Sequence, residues 1–190
     1  MNIFALDNCP ILAAQYHCDK HVVKMIVESA QMLSTAHRVI DGTEYTQIQN
    51  GRKSRQWKHP EDQLYKVAHL NHPSSVWTRE CAANYGWHYQ LFCALCDEYR
   101  HRYGKVHATD QKLRNILKWF PSKINRTLPI TPFKLAMKSS PECMDESNPV
   151  ESYRKFYHTK QDRFKMVWTN REVPSWFQYK STVRAATATL

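Results

Sequence analysis

The sequence predicts a mainly α protein: a single compact helical domain around two long buried helices, with long polar loops and room for a short N-terminal strand. Three observations carry this expectation. Glycine occurs four times in 190 residues, against ordinary usage of roughly 7%, too few for a turn-rich β fold. Residues 11–40 contain neither Gly nor Pro, so one long helix is the natural reading there. Residues 71–105 open near Pro73 and close at Gly104, the asymmetry of a helix start and stop.

Taken in order, "FALDNCP" reads as an extended lead and then a helix start, with Asp7 or Asn8 as cap and Pro10 in the first turn. Residues 41–62 are polar and turn-rich; Arg52, Lys53, Arg55 and Lys58 gather around Trp57, predicting a loop with a basic tip. Residues 63–70 add a short helical turn. The second long helix follows, capped by Asn71 or His72. A third is expected over 109–120 with Thr109 as cap, then a Pro-punctuated stretch over 121–149, then a shorter helix over 149–165. "EVPSWF" (172–177) suits an aromatic clasp, and 181–190 reads as a flexible tail, so the domain is expected to span 1–180.

Composition narrows the function. Apolar residues make up 42% of the chain, with six Trp, ten Tyr and seven Phe, enough to offset the ordering entropy of a folded domain. Lys and Arg number 27 against 17 acids, a net charge of +10. Such a surface attracts polyanions by counterion release, which points to nucleic acid (DNA) or a nucleotide as partner. The start lacks a secretory pattern, no apolar run approaches the ~18 residues of a membrane helix, and the six cysteines suit reduced thiols, so a cytoplasmic protein is expected. No phosphate-cradling Gly loop, G-x-S-x-G elbow or acidic cluster for two-metal chemistry is present.

The candidate chemistry lies on the two long helices. At about 100° per residue, His17, Lys20, His21, Lys24, Glu28, Gln31, Thr35 and Arg38 share one stripe, and most of the remaining positions are apolar or small. That proportion predicts a buried helix whose polar groups line a slot, with Asp19 in need of a cationic or hydrogen-bonding partner. His17, Lys20, His21, Lys24 and Glu28 form a ladder of mutually perturbing groups: a crowded lysine can serve as base or amine nucleophile, a histidine can move protons, and a glutamate can act as acid or base. The same residues also suit a core helix with one solvated edge. On the second helix Trp77, Glu80, Asn84, His88, Leu91, Leu95, Glu98 and Arg102 share a face about 80° wide, placing Glu80, Asn84 and His88 toward the ladder if the helices pack. His72 and Trp77 lie near that helix's N-terminus, which favours a phosphate. Arg38, Arg52, Lys53, Arg55, Arg79, Lys123, Arg126 and Lys134 are candidate phosphate contacts, and Trp57 and Trp77 candidate stacking platforms for a flipped base.

His17-x-x-x-His21 has the spacing of helical zinc ligands, with Glu80 as a conceivable third. Cys18 stands where a metalloprotease motif needs Glu, and Cys93-x-x-Cys96 has no second pair, so no metal and no cofactor are expected.

The layout of a charged first helix followed by "NHPSSVWTRECAANYGWHYQLFCALCDEYRHRYG" resembles the pyrimidine-dimer DNA glycosylases, small helical base-excision enzymes best known from bacteriophages. "CDKHVVKM" and "VPSWF" are also similar to stretches of other bacteriophage proteins. The resemblance covers about residues 1–105 and implies base excision from damaged pyrimidines. Two departures bear on mechanism. The family uses the amine of a small residue exposed by Met removal, whereas Asn2 follows Met1 here; and its Arg–Glu pair is replaced by Lys24 and Glu28. The resemblance therefore implies glycosidic hydrolysis more than strand cleavage by an amine. A second reading is a non-catalytic protein that binds nucleic acid, a nucleotide or a host factor.

Overall fold

A computed structural model describes residues 1–180. Six α-helices and one hairpin surround a single apolar core, so the fold is mixed rather than purely helical. The expected tail, 181–190, lies outside the described residues.

The first predicted helix is two. Helix α1 spans Pro10–Tyr16 and α2 spans Asp19–Asp41. Between them His17 and Cys18 are extended, with ψ of 133° and 163°. The break has no Gly or Pro; distant partners hold it. The Cys18 N–H donates to the Tyr157 hydroxyl at 2.8 Å and the Asp19 N–H to the Val167 carbonyl at 2.9 Å. Helix α2 is buried along Val22, Met25, Ile26, Ala30, Met32, Leu33 and Ala36, as its composition predicts.

The second predicted helix also breaks, into α3 (Pro73–Glu80) and α4 (Ala82–Tyr103), at an extended Cys81. Here the Ala82 N–H leaves the helix to reach the Asn125 carbonyl at 2.7 Å. The Nδ1 of His72 accepts the Ser74 N–H at 3.3 Å as the cap of α3. On α4, Asn84, His88, Leu91, Leu95, Glu98 and Arg102 are all buried, so the face read from the wheel is the one that packs against α1 and α2. Helix α5 covers Ala108–Leu117, capped by His107 rather than Thr109, and α6 covers Pro149–His158 with a 3-10 turn over Thr159–Asp162.

The expected loop at 41–62 is instead a hairpin: β1 (Thr43–Gln49) pairs antiparallel with β2 (Arg52–Lys58), from Thr43↔Lys58 to Gln49↔Arg52. Asn50 and Gly51 turn it with φ of 50° and 73°, the two positive values a tight two-residue turn requires. Gly42 joins it to α2 where no side chain fits: a Cβ there would stand 2.3 Å from the Arg38 carbonyl oxygen and 2.7 Å from that of Lys58. The expected N-terminal strand does not form. Residues 3–6 are buried but unpaired, and Phe4 sits at φ 49°, which breaks the pleat.

The aromatic clasp forms as expected. Phe177 stacks on His158 at 4.9 Å and meets Trp168 at 4.8 Å, while Trp176 packs on Tyr16. All six cysteines are free thiols. Among the described residues no helix is long and apolar enough to cross a membrane.

Candidate active-site cleft

Helix α2 carries one polar stripe with two fates. At its C-terminal end the stripe is sealed: Arg38 donates to the carbonyls of Leu64 (2.7 Å), Tyr65 (2.8 Å) and Trp57 (3.1 Å), and Thr35 Oγ1 accepts the Ala68 N–H at 3.2 Å. At its N-terminal end Lys20, His21, Lys24 and Glu28 open onto a cleft of about 370 Å³. Opposite them stand Met1, Asn2 and Phe4 of the lead, Ala136, and Phe156, Lys160, Arg163 and Phe164 from α6 and the segment after it.

Glu28 is the one carboxylate in this lining. Its Oε2 accepts the Asn2 N–H at 2.9 Å, and the amino nitrogen of Met1 lies 3.9 Å from the same oxygen. Oε1 pairs with Lys24 Nζ at 3.2 Å, one helical turn away. The lead is held there by Asn2, whose Nδ2 donates to the Ala136 carbonyl at 3.1 Å and whose Oδ1 accepts the Ile3 N–H at 2.8 Å. The positive φ of Phe4, a conformation costing about 1–3 kcal/mol for such a residue, presents its ring to His21, 4.9 Å away and nearly parallel.

His21 is neutral at pH 7. Burial, then the His17, Lys24 and Lys160 charges, push its pKa down to about 3. The Tyr157 hydroxyl accepts the Cys18 N–H and shares a 2.8 Å hydrogen bond with His21 Nδ1. His21 is therefore a neutral hydrogen-bonding group in the cleft wall.

Several expected site residues lie elsewhere. His17, beyond the start of α2, is fully buried behind His21; its Nδ1–H donates to the Ala13 carbonyl at 2.6 Å, and burial lowers its pKa to about 4. Glu80 and Asn84 do not face the ladder. Both bind Thr131, at 2.9 Å and 2.8 Å, and so pin the Pro-rich stretch to the α3–α4 corner. The His17–His21–Glu80 zinc arrangement consequently does not assemble. Trp57 and Trp77 are core residues: Trp77 packs on Trp87 and Phe133, and Trp57 lies at the hairpin foot, so neither is placed to stack a flipped base. Arg38 is buried, with three of its N–H groups on carbonyls, and is not placed for phosphate.

Of the remaining basic candidates, Arg52 and Lys53 are exposed on the hairpin, Arg55 is held bidentate by Glu44, and Lys123, Arg126 and Lys134 are exposed along the Pro-rich stretch. Arg79 is half-buried against Ser75 Oγ at 3.2 Å, and His72 is half-buried, its pKa lowered by burial and then by the Met1 amino charge. Sequence reasoning missed Phe4, Phe156, Lys160, Arg163 and Phe164. The 149–165 segment reads only as a shorter helix, and nothing local places its end across from Glu28.

His37, Asp41 and His59 have candidate ligand atoms within 4.8 Å of one another. Each is already engaged. Asp41 accepts the Ser122 and Lys123 N–H groups, His37 Nε2 meets the Tyr85 hydroxyl at 2.8 Å, and His59 Nδ1 accepts the Glu61 N–H at 3.0 Å. The cluster ties the hairpin foot to α2. A larger hollow of about 480 Å³ lies between α1 and α4, but its charged Glu98 and Arg171 are bonded to each other at 2.6 Å.

Comparison with protein-family models, curated proteins and solved structures returns no match. The resemblance to the pyrimidine-dimer glycosylases rests on the sequence layout alone.

Proposed function

We propose that this protein is a DNA base-processing enzyme that cleaves N-glycosidic bonds of modified or damaged pyrimidines in the α2 cleft. The observation that carries the reading is Glu28 as the one carboxylate among the basic side chains Lys20, Lys24, Lys160 and Arg163 and the Met1 amine, in a concavity floored by phenyl rings. Breaking a glycosidic bond builds positive charge on the sugar, and a fixed carboxylate stabilises that charge or activates the attacking water. Cations around it suit the flanking phosphates, and aromatic rings suit an extruded base. Neutral His21, in the cleft wall, can hydrogen-bond to an extruded base. The net charge and the resemblance point to the same substrate class.

The test is incubation with duplexes carrying assorted altered pyrimidines. Release of free base by the wild type, lost in Glu28→Gln, supports the reading; no release at enzyme excess sinks it. The second reading, a non-catalytic nucleic-acid binder, draws on Arg52 and Lys53, which stand exposed on the hairpin away from the cleft lining. It expects Lys24→Ala and Glu28→Ala to leave binding intact while hairpin substitutions abolish it.

A further inference from the structure

Lys160 is the least ordinary group in the cleft. It lies in the 3-10 turn after α6 and is only 6% exposed. Its Nζ sits 3.3 Å from the centre of the Phe156 ring and 6.0 Å from that of Phe4. Buried lysines are normally paired with an acid. The charged neighbours acting on this one are the cations Arg163 and Lys24, with Cys143 alone acting in the opposite sense. Glu28, the carboxylate of the cleft, is already engaged by Lys24 and the Asn2 N–H.

The other amines differ. Lys24 is mostly in solvent and paired, and Lys20 is exposed, its Nζ 4.8 Å from the Phe164 ring. Lys160 alone combines burial, aromatic walls and a cationic surround, the setting that makes a lysine a carbonyl-directed nucleophile.

We propose that Lys160 is a catalytic residue: its Nζ forms an imine with C1′ of a deoxyribose held in the cleft. The inference rests on the base-excision reading for its substrate class. Neutral Nζ attacks C1′ as the bond to the base breaks; the bonding pair leaves with the base, which takes the proton Nζ gives up. The nitrogen lone pair then expels O4′, which takes a proton from solvent, leaving a protonated imine. With an abasic sugar the same amine condenses with the C1′ aldehyde and releases water. Burial, followed by the Arg163 charge, lowers the Lys160 pKa to about 8, so a usable fraction of the amine is neutral near physiological pH.

The test has two arms on the whole protein. In the first, an abasic-site duplex is incubated with borohydride, which reduces the imine to a stable secondary amine, and the adduct is mapped by peptide mass spectrometry. The adduct is expected on Lys160, and lost in Lys160→Arg, which keeps a cation over Phe156 but forms no such imine. An adduct on Met1, Lys20 or Lys24 overturns the proposal, and so does a Lys160→Arg protein that traps as well as the wild type. The second arm measures free base from duplexes with altered pyrimidines. Base release without an adduct overturns the role of Lys160 and leaves base excision standing. An adduct on Lys160 without base release supports the imine chemistry and removes the base-excision reading.

Discussion

Asp19 and Lys20 are neighbours in sequence and belong to opposite kinds of charge cluster. Asp19 enters a saturated one. Arg102, fully buried, donates to Asp19 Oδ1 (3.0 Å), Glu98 Oε2 (3.0 Å) and the carbonyls of His17 and Gln15, while Arg171 holds the other oxygen of Glu98 at 2.6 Å. Every charge there has an opposite partner, and the result is a clamp fastening the α1–α2 corner to α4. Lys20 enters the unsaturated cluster, where four basic side chains and the Met1 amine face one carboxylate. Saturated clusters hold a fold together; an excess of positive charge beside a concavity suits an anionic ligand, as the proposed function requires.

The contrast can be broken in several ways, beginning with the largest effect. Glu28→Gln is expected to lower base release by about 10²–10⁴-fold, the usual scale for a lost general acid or base. It should change stability by less than about 1 kcal/mol, because the amide oxygen still accepts the Asn2 N–H. Single-turnover assays and urea unfolding read the two quantities separately.

Arg102→Met should do the reverse. Leaving Glu98 and Asp19 short of a partner in a buried site is expected to cost about 3 kcal/mol, read as a lower urea midpoint. Base release per folded molecule should persist.

The buried histidines give a pH test. Burial lowers the pKa of His17 and His37 to about 4 and of His21 and His88 to about 3, against about 6.5 in an unfolded chain. Between those values the unfolded state binds more protons, so stability falls as pH drops below about 6.5 and goes on falling toward about 4. Glu98 adds to the loss at the acid end. Burial pushes its pKa up, but Arg171 and Arg102 outweigh that and hold it below the usual value; its contribution disappears as pH falls below about 4.3. A urea midpoint that stays flat from pH 7 to 5 contradicts this.

A smaller effect separates cleft cations from hairpin cations. Removing Lys20 and Arg163 together is expected to flatten the salt dependence of DNA binding by about 0.9 in slope for each phosphate no longer neutralised. The Arg52→Ala, Lys53→Ala pair should flatten it less. The opposite ranking favours the binding-protein reading.

What was legible in the sequence follows from where the causes lie. Burial of α2, the packed face of α4, the need of Asp19 for a cation and the aromatic clasp are all written in residue type and period, which act within one element. The breaks at Cys18 and Cys81 are not, because the backbone groups that open those helices bond to Tyr157, Val167 and Asn125, far along the chain. The hairpin has a local signal too: Asn50-Gly51 is a strong turn dipeptide, set between strands too polar to show the usual alternation. In the cleft, the wheel brought Lys20, His21, Lys24 and Glu28 together, since they share one helix face, and all four line it. It wrongly added His17, beyond the helix start, and Glu80 and Asn84, claimed by Thr131. Lys160 was beyond its reach, because only the packing of α6 against the lead brings that amine to the cleft.

The most direct test of the cleft as the working site is lysine footprinting with an acetylating reagent, with and without a bound duplex. The account expects Lys20, Lys24 and Lys160 to lose reactivity on binding while Lys112 on α5 stays unchanged. Unaltered reactivity at those three, with protection confined to Lys53 and Lys58 of the hairpin, would contradict it.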